Sequence, residues 1–321
     1  MKVLITGGAG FIGSHLCERY TKEGHTVLCL DNFLNGNLAN IRHLLNHKNF
    51  KLLNIDVRDF DSLEKIIQGV DTVFHLAAQI HVDRSLIEPQ LTYEINVLGT
   101  QNVLEVSRRH DVEKIICVSS SEVYGSAQTV PMKEDHPLNA PHPYGASKIA
   151  ADRMCYSYTK TYQMNITTVR PFNTFGPKQK DTGYGGVISI FVKRALSGLL
   201  PIIYGDGNQT RDYTFVTDLV EAFDLILKHT EPIPEPINIG SSREIKIIDL
   251  ANMIIDLTGQ NGKIKPVSVE PRPGEVDRLC ADSSKAKELL GWKPKHSLKD
   301  GLTKLVDWYK YYKSEEWSKP G

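Results

Sequence analysis

Short, uniformly apolar segments alternate with longer helix-like segments along the first half of this chain. The apolar segments are KVLIT at 2–6, TVLCLDN at 26–32, FKLLNID at 50–56, DTVFHLAA at 71–78, KIICVSS at 114–120 and MNITTVRP at 164–171. A strand that is apolar throughout needs cover on both of its faces, and helices between parallel strands provide that cover. The pattern therefore predicts an α/β fold built on a doubly wound parallel sheet.

A glycine-rich turn joins the first apolar segment to the first helix-like stretch. In TGGAGFIGSH, residues 6–15, glycine recurs at every third position. A bound pyrophosphate needs close approach of the backbone and the positive end of a helix dipole, and such a turn supplies both. The turn therefore predicts a Rossmann-type dinucleotide-binding domain. The residues that we expect at the cofactor are Gly7, Gly10, Phe11, Ile12 and Gly13.

The ends of the next two apolar segments indicate which dinucleotide binds. Asp31 lies at the end of the second predicted strand, 18 residues beyond Gly13, where a carboxylate can accept hydrogen bonds from a ribose diol and repel a 2′-phosphate. The next residue is Asn32 rather than a basic residue, so we predict NAD as the cofactor rather than NADP. Asp56 ends the third segment and Val57 follows it, and both are placed to meet the adenine, although Asp56 is also compatible with an ordinary cap at a strand end.

The regular alternation stops after the sixth apolar segment, which suggests a division into domains. We place the NAD-binding domain at 1–171 and expect a returning segment near 213–240 to complete it. Residues 172–212 and 241–312 then form a smaller C-terminal α/β domain for the substrate. The remaining residues, 313–321, are expected to form a frayed tail.

Composition excludes several classes of function. Lys plus Arg and Asp plus Glu both number 38, so neither nucleic acid nor an acidic membrane is expected as a partner. The five cysteines are scattered without a Cys-x-x-Cys pair, so we expect no disulfide framework and no metal site. No segment reaches the roughly 18 apolar residues of a membrane span, and the N-terminal apolar run is too short for a signal peptide. A cytoplasmic location is therefore expected.

A Tyr-x-x-x-Lys pair, Tyr144 and Lys148, is the strongest catalytic signal in the chain. A tyrosine has a pKa of about 10, so making it a base near pH 7 costs about 4 kcal/mol. Residues four apart share one face of a helix, which lets Lys148 lie beside Tyr144. The charge of Lys148, together with that of an oxidised nicotinamide, would stabilise the phenolate.

An ordered set of motifs resembles the extended short-chain dehydrogenase/reductase family that modifies nucleotide sugars. The motifs are the glycine turn, FHLAA at 74–78, NVLGT at 96–100, SSSEVYG at 119–125, YGASK at 144–148, RPFNTFGP at 170–177, YGDGNQTRDYTFVTD at 204–218 and PRPGE at 271–275. The resemblance covers essentially the whole chain. It implies that Ser120 binds a sugar hydroxyl, that Tyr144 takes its proton, and that NAD oxidises C4 to a transient 4-keto sugar.

The same resemblance implies further contacts with ligands. It places Leu76, Ala77, Ala78 and Asn96 at the cofactor. It places Asn173, Arg211 and Arg272 at the diphosphate, for which a bidentate guanidinium is well suited. Ser121 and the loop at 181–191, including Val187, would line the substrate. The family also implies a homodimer, formed through the helix that carries Tyr144 and the long helix before it.

Glu122 decides which reaction the resemblance favours. Sugar dehydratases of the family place a glutamate base at this position, and HVDRS at 81–85 resembles the dTDP-glucose 4,6-dehydratases, so the sequence favours a 4,6-dehydratase with Glu122 as the C5 base. Those enzymes have an aspartate where this chain has Ser121, however, and GYGGVISIFVKRAL at 183–196 resembles bacterial UDP-glucose 4-epimerases.

Several alternatives therefore stay open for the substrate and for the reaction. The main one is a 4-epimerase of the UDP-glucose, UDP-N-acetylglucosamine or UDP-glucuronate type. A UDP-glucuronate decarboxylase and a catalytically silent NAD-binding protein are less favoured. Glu122 would then cap or pair beside the site instead of acting as a base.

Overall fold

The computed structural model describes residues 1–182, 185–271 and 276–317. Its strands are β1 (Lys2–Thr6), β2 (Thr26–Leu30), β3 (Phe50–Leu53), β4 (Thr72–His75), β5 (Lys114–Val118), β6 (Ile166–Pro171), β7 (Thr174–Phe175), β8 (Ile202–Tyr204), β9 (Thr210–Asp212), β10 (Thr214–Phe215), β11 (Ile237–Ile239), β12 (Glu244–Lys246), β13 (Val267–Val269) and β14 (Arg278–Leu279). Its α-helices are α1 (Phe11–Lys22), α2 (Phe60–Ile66), α3 (Val82–Ile87), α4 (Pro89–Tyr93), α5 (Gly99–Arg109), α6 (Pro143–Tyr162), α7 (Val187–Leu196), α8 (Val216–Lys228), α9 (Ile247–Leu257), α10 (Ser284–Leu290) and α11 (Leu298–Trp317).

Seven parallel strands form the central sheet, in the order β3-β2-β1-β4-β5-β6-β11. The chain winds outward from β1 to one edge and then from β4 to the other, which makes the sheet doubly wound. The prediction of a Rossmann-type α/β fold is thereby confirmed. Thr6 pairs with both Leu30 and His75, so β1, β2 and β4 end at one level, and ligands of such sheets bind beyond these carboxyl ends.

Each face of the sheet carries its own apolar core. Val3 and Ile5 of β1 point to the face covered by α1 and α8, where Phe223 is fully buried. Leu4, between them, points to the opposite face, where α2, α5 and α6 pack. Burial on both faces explains why the strand sequences are apolar without alternation. A side chain as large as Phe223 contributes about 1.5–3 kcal/mol when it is fully buried.

The part of the chain that follows β6 is shared between the central sheet and a smaller region. Helix α8 packs against α1, and β11 pairs with β6, so both return to the central sheet. In the smaller region, β9 lies between β12 and β14, and α7, α9 and α11 pack around a separate apolar cluster that includes Phe191 and Leu305. The sequence predicts a frayed tail over 313–321, but α11 continues to Trp317 and residues 318–321 lie outside the described part. None of the described helices has the length and apolar character needed to cross a bilayer.

A buried ion pair connects β6 to α6. Arg170 and Asp152 have side-chain exposures of only 1% and 0%, and Arg170 Nε donates to Asp152 Oδ2 at 2.8 Å. Arg170 Nη1 also donates to the Tyr124 hydroxyl at 2.8 Å and to the Glu134 carbonyl at 2.9 Å. Burial alone would raise the pKa of Asp152, but the hydrogen bonds and charge of Arg170 hold that pKa below its ordinary value. The pair thereby ties Tyr124, in the segment after β5, to the centre of the fold.

We expect Arg170→Met to lower the free energy of unfolding by about 3–5 kcal/mol, because it removes the buried partner of the Asp152 carboxylate. The measurement is urea unfolding at pH 7. Arg153→Met is the matched control: Arg153 also contacts Asp152, at 2.6 Å, but its side chain is 43% exposed, so the loss should stay below about 1 kcal/mol. Equal losses in the two variants would contradict the role given to the buried pair.

Candidate active site

One cavity of about 980 Å³ lies at the carboxyl ends of the central strands. It brings together most of the residues that the sequence singles out, from the glycine turn to the Tyr-x-x-x-Lys pair. Those on its wall are Gly7, Gly10, Phe11, Ile12, Gly13, Asp31, Asn32, Asp56, Val57, Leu76, Ala77, Ala78, Ser120, Ser121, Glu122, Tyr144, Lys148 and Asn173. Their contacts with ligands stay predictions, but their proximity is a property of the fold.

The glycine turn places the N-terminus of α1 directly at this cavity. Gly10 precedes the first turn of α1, and a Cβ added to Gly13 would lie only 2.2 Å from the Gly7 carbonyl oxygen. Only glycine therefore allows α1 to start this close to the end of β1. The positive end of the helix and its unpaired N–H groups then face the cavity, which suits the pyrophosphate of a dinucleotide.

Asp31 is held by the glycine turn itself. Its carboxylate accepts hydrogen bonds from the backbone N–H of Ala9 at 2.9 Å and of Phe33 at 2.8 Å, and burial raises its pKa. A carboxylate has about four acceptor positions, so capacity for a ribose diol remains. The residues of this wall therefore fit the ribose of NAD.

Asp56 is engaged with neighbouring side chains. Arg58 and Asn32 both donate to its carboxylate, at distances of 2.8 to 3.0 Å. The hydrogen bonds from Arg58 lower the pKa of Asp56 to about 2. The carboxylate thus fixes the loops that follow β2 and β3 on one side of the cavity.

Ser120 and Tyr144 meet on the opposite wall. Ser120 Oγ accepts the N–H of Glu122 at 3.2 Å, and Tyr144 stands in the first turn of α6 with its backbone N–H donating to Ser85 Oγ at 3.1 Å. Burial raises the pKa of Tyr144 to about 12, a hydrogen bond with Ser120 lowers it, and the charge of Glu122 raises it. Without a further positive charge, Tyr144 is therefore a phenol at neutral pH.

Lys148 lies one turn beyond Tyr144, and its ammonium donates to the Val118 carbonyl at 2.6 Å. Burial lowers the pKa of Lys148 to about 8, so the group is still largely protonated at pH 7. The sequence predicts that the charge of Lys148, which can lie beside Tyr144, stabilises the phenolate. In the structure, the Lys148 ammonium contacts the end of β5.

Glu122 has a partner that the sequence analysis did not single out. Its Oε2 atom lies 3.2 Å from Nε2 of His142, the residue that precedes α6. The sequence contains a signal for His142. Pro143 favours the first position of a helix, which predicts residue 142 as the N-cap. The pairing alternative for Glu122 thus has a geometric basis.

Asn173 lines the cavity and carries a buried amide. Its Nδ2 atom has no hydrogen-bond partner among the described residues. A buried amide without a partner costs about 1–3 kcal/mol. The diphosphate of a sugar nucleotide is the group predicted for this position.

Three predicted residues, Asn96, Val187 and Arg211, are not among the described residues that line the cavity, and a fourth cannot be placed. Asn96 is buried and bonds Gln79 and Ser147, so it supports the wall from behind. Val187 begins α7 and packs on the apolar cluster of the smaller region. Arg211 is in β9 and donates to the Thr210 carbonyl, and Arg272 lies outside the described residues.

Comparison with known proteins gives a consistent result. A family model described as GDP-mannose 4,6 dehydratase matches residues 4–305. A putative UDP-glucose 4-epimerase of Methanocaldococcus jannaschii is 40% identical over 310 residues, which cover 96% of this chain and 98% of that protein. The crystal structure of a Thermotoga maritima UDP-glucose 4-epimerase with UDP-glucose matches with a TM-score of 0.91 at 35% identity, over 97% of this chain and 99% of that one. The crystal structure of a Streptomyces venezuelae dTDP-glucose 4,6-dehydratase with NAD bound matches with a TM-score of 0.91 at 32% identity, over 98% of both chains.

We expect Gly13→Ala to weaken NAD binding about tenfold to a hundredfold, because its methyl group forces α1 away from the Gly7 carbonyl oxygen. Isothermal titration with NAD measures the change, with circular dichroism as a check on folding. Gly24→Asn, beyond the other end of the same helix, is the control, since no atom lies near its added Cβ and asparagine tolerates a positive φ. Unchanged NAD affinity in Gly13→Ala would refute the assignment of the pyrophosphate to the glycine turn and the start of α1.

Proposed function

The chain belongs to the extended short-chain dehydrogenase/reductase family of NAD-dependent nucleotide-sugar epimerases and dehydratases, and on that premise we propose that it is a UDP-hexose 4-epimerase. The 3.2 Å contact between Glu122 and His142 carries the choice, because it gives a structural partner to one oxygen of the carboxylate that a 4,6-dehydratase would use as its base. The relatives named UDP-glucose 4-epimerase support the same choice. The dehydratase that the sequence favours thus becomes the second candidate.

The cavity wall offers a consistent arrangement for the cofactor. The glycine turn and the start of α1 would hold the pyrophosphate, Asp31 the ribose diol, and Asp56 with Val57 the adenine. Leu76, Ala77 and Ala78 would form the floor after β4. When bound, NAD accepts the hydrogen of the sugar C4 as a hydride and later returns it.

In this proposal, Ser120 and Tyr144 act on the C4 hydroxyl of the sugar. Ser120 orients the hydroxyl, and Tyr144 accepts its proton as the carbon is oxidised and donates it back as the carbon is reduced. Since burial raises the pKa of Tyr144 to about 12, a positive charge must favour the phenolate. The Lys148 ammonium, fixed at the end of β5, and the charge of the oxidised nicotinamide are the two sources.

Epimerisation also requires the 4-keto sugar to present its other face before it is reduced. The nucleotide and diphosphate must then hold the molecule while the sugar turns. Asn173, with its buried amide, is assigned to the diphosphate, and Arg211 and Arg272 are assigned to the same group. Ser121 and Val187 are assigned to the substrate side of the site.

A 4,6-dehydratase is the second candidate because Glu122 does line the cavity. In that reaction, Glu122 would remove the C5 proton from the 4-keto sugar and water would leave from C6. Ser121, beside it, is 3% exposed and offers only a hydroxyl where an acid would assist the departure of water. The epimerase requires neither group.

The proposed enzyme is a homodimer. Large apolar and aromatic side chains are exposed on α3, on α4 and the segment after it, and at the end of α6, and contacts between proteins bury side chains of this kind. These side chains are Leu86, Ile87, Tyr93, Leu98 and Tyr162, each at least 41% exposed. Analytical ultracentrifugation at micromolar concentration measures the assembly.

The purified protein is expected to convert UDP-glucose to its 4-epimer. Proton NMR of the sugar measures this conversion. UDP-N-acetylglucosamine, UDP-glucuronate and dTDP-glucose are assayed alongside it to define the substrate. Tyr144→Phe should lower kcat by about 10²–10⁴ while NAD remains bound, because only the phenolic hydroxyl is lost. A 6-deoxy-4-keto product in place of a 4-epimer would establish the dehydratase instead.

A further inference from the structure

His142 occupies an unusual position between the active-site wall and the helix that carries Tyr144. It is the N-cap of α6, and its Nδ1 atom accepts the backbone N–H of Gly145 at 3.0 Å. Its side chain is 2% exposed, and it is not among the residues that line the cavity. Any influence on the reaction must therefore pass through a neighbouring residue.

The cap contact fixes the tautomer of the neutral ring. Because Nδ1 accepts an N–H, the ring proton of a neutral imidazole must be on Nε2. That atom faces Oε2 of Glu122 at 3.2 Å, so His142 donates to the carboxylate. One imidazole thus links the first turn of α6 to the side chain that separates two possible reactions.

Close packing leaves the His142 ring little freedom. A Cβ added to Gly145 would lie 2.5 Å from Ala140 Cβ, 2.8 Å from the Glu122 carbonyl oxygen and 3.2 Å from His142 Cε1. The His142 ring also lies nearly parallel to that of Tyr144, at 18° with centroids 6.0 Å apart. The absence of a side chain at Gly145 therefore lets the backbone of Glu122 and the His142 ring both pack against the first turn of α6.

Resting on the 4-epimerase proposed above, we propose that His142 is a positioning residue that ties the Glu122 carboxylate to α6 and prevents it from acting as a base on the 4-keto sugar. A carboxylate oxygen that accepts a hydrogen bond from a fixed donor is held in one orientation. His142 thereby protects the 4-keto sugar from elimination while the sugar turns.

The suppressed side reaction has a defined course. The C5–H bond breaks with its proton passing to Glu122, and its electron pair becomes the C5–C6 double bond. The C6–O bond breaks at the same time, and the hydroxyl leaves as water after regaining that proton. Reduction at C6 by the hydride already held on the cofactor, with a proton from the solvent added at C5, then gives a 6-deoxy-4-keto sugar.

The test removes the hydrogen bond between His142 and Glu122, here called the tether, while keeping an N-cap on α6. Serine is a good N-cap but cannot reach Glu122 in place of Nε2, so His142→Ser should raise the ratio of 6-deoxy-4-keto sugar to 4-epimer at least tenfold. His142→Ala, which loses the cap as well, should show the same product ratio with lower thermal stability. Adding Glu122→Gln to His142→Ser should return the ratio to the wild-type level, because an amide cannot take the C5 proton.

Wild-type protein assayed in parallel separates two kinds of failure. A wild type that forms no 4-epimer counts against the proposed function. A wild type that forms it, together with a His142→Ser variant of unchanged product ratio, overturns the role of His142.

A second readout needs no turnover. In protein with ¹⁵N-labelled histidine, the ring signals that disappear in His142→Ser are those of His142. These signals should report a ring protonated at Nε2. Glu122→Gln should change the chemical shift of the Nε2 proton. A ring protonated at Nδ1, or a signal insensitive to Glu122→Gln, would overturn the tether whatever the enzyme produces.

Discussion

The close approach of Gly13 to the Gly7 carbonyl oxygen, with room for no side chain, sets the position of α1 against the end of β1. From this contact follow the direction of the α1 dipole and the Ala9 N–H that binds Asp31. Because β1 lies at the point where the doubly wound sheet changes direction, the same contact also locates the cavity. The cofactor site is therefore a consequence of how one strand meets one helix.

The segment from Ser119 to Gly125 connects this framework to the chemistry. It leaves β5 at the sheet's carboxyl edge and places Ser120 and Glu122 on the cavity wall. Two residues later, Tyr124 turns inward to bond Arg170 and Asn238. A buried polar network thus fixes one end of a segment whose other end faces the substrate, so the geometry of Ser120 depends on contacts far from the reacting sugar.

The sequence predicts much of this because its signals are local. The apolar runs predict the first six central strands, and the glycine turn predicts the pyrophosphate site from residues adjacent in the chain. The sequence predicts neither the three-stranded sheet around β9 nor the supporting role of Asn96, since both depend on partners distant in sequence. His142 was missed for a related reason: its N-cap position is local, but its contact with Glu122 spans 20 residues and becomes visible only when α6 is packed.

In the proposed reaction, NAD would take and return the C4 hydrogen, Ser120 and Tyr144 would act on the C4 hydroxyl, and Glu122 would leave C5 untouched. Turnover of the UDP-hexose substrate in D₂O, with deuterium located by NMR, tests this directly. We predict a 4-epimer that carries protium at both C4 and C5, because the C4 hydrogen returns from the cofactor and no base removes the C5 proton. Deuterium at C5 would contradict the account and show that a base, with Glu122 the first candidate, acts on the 4-keto sugar.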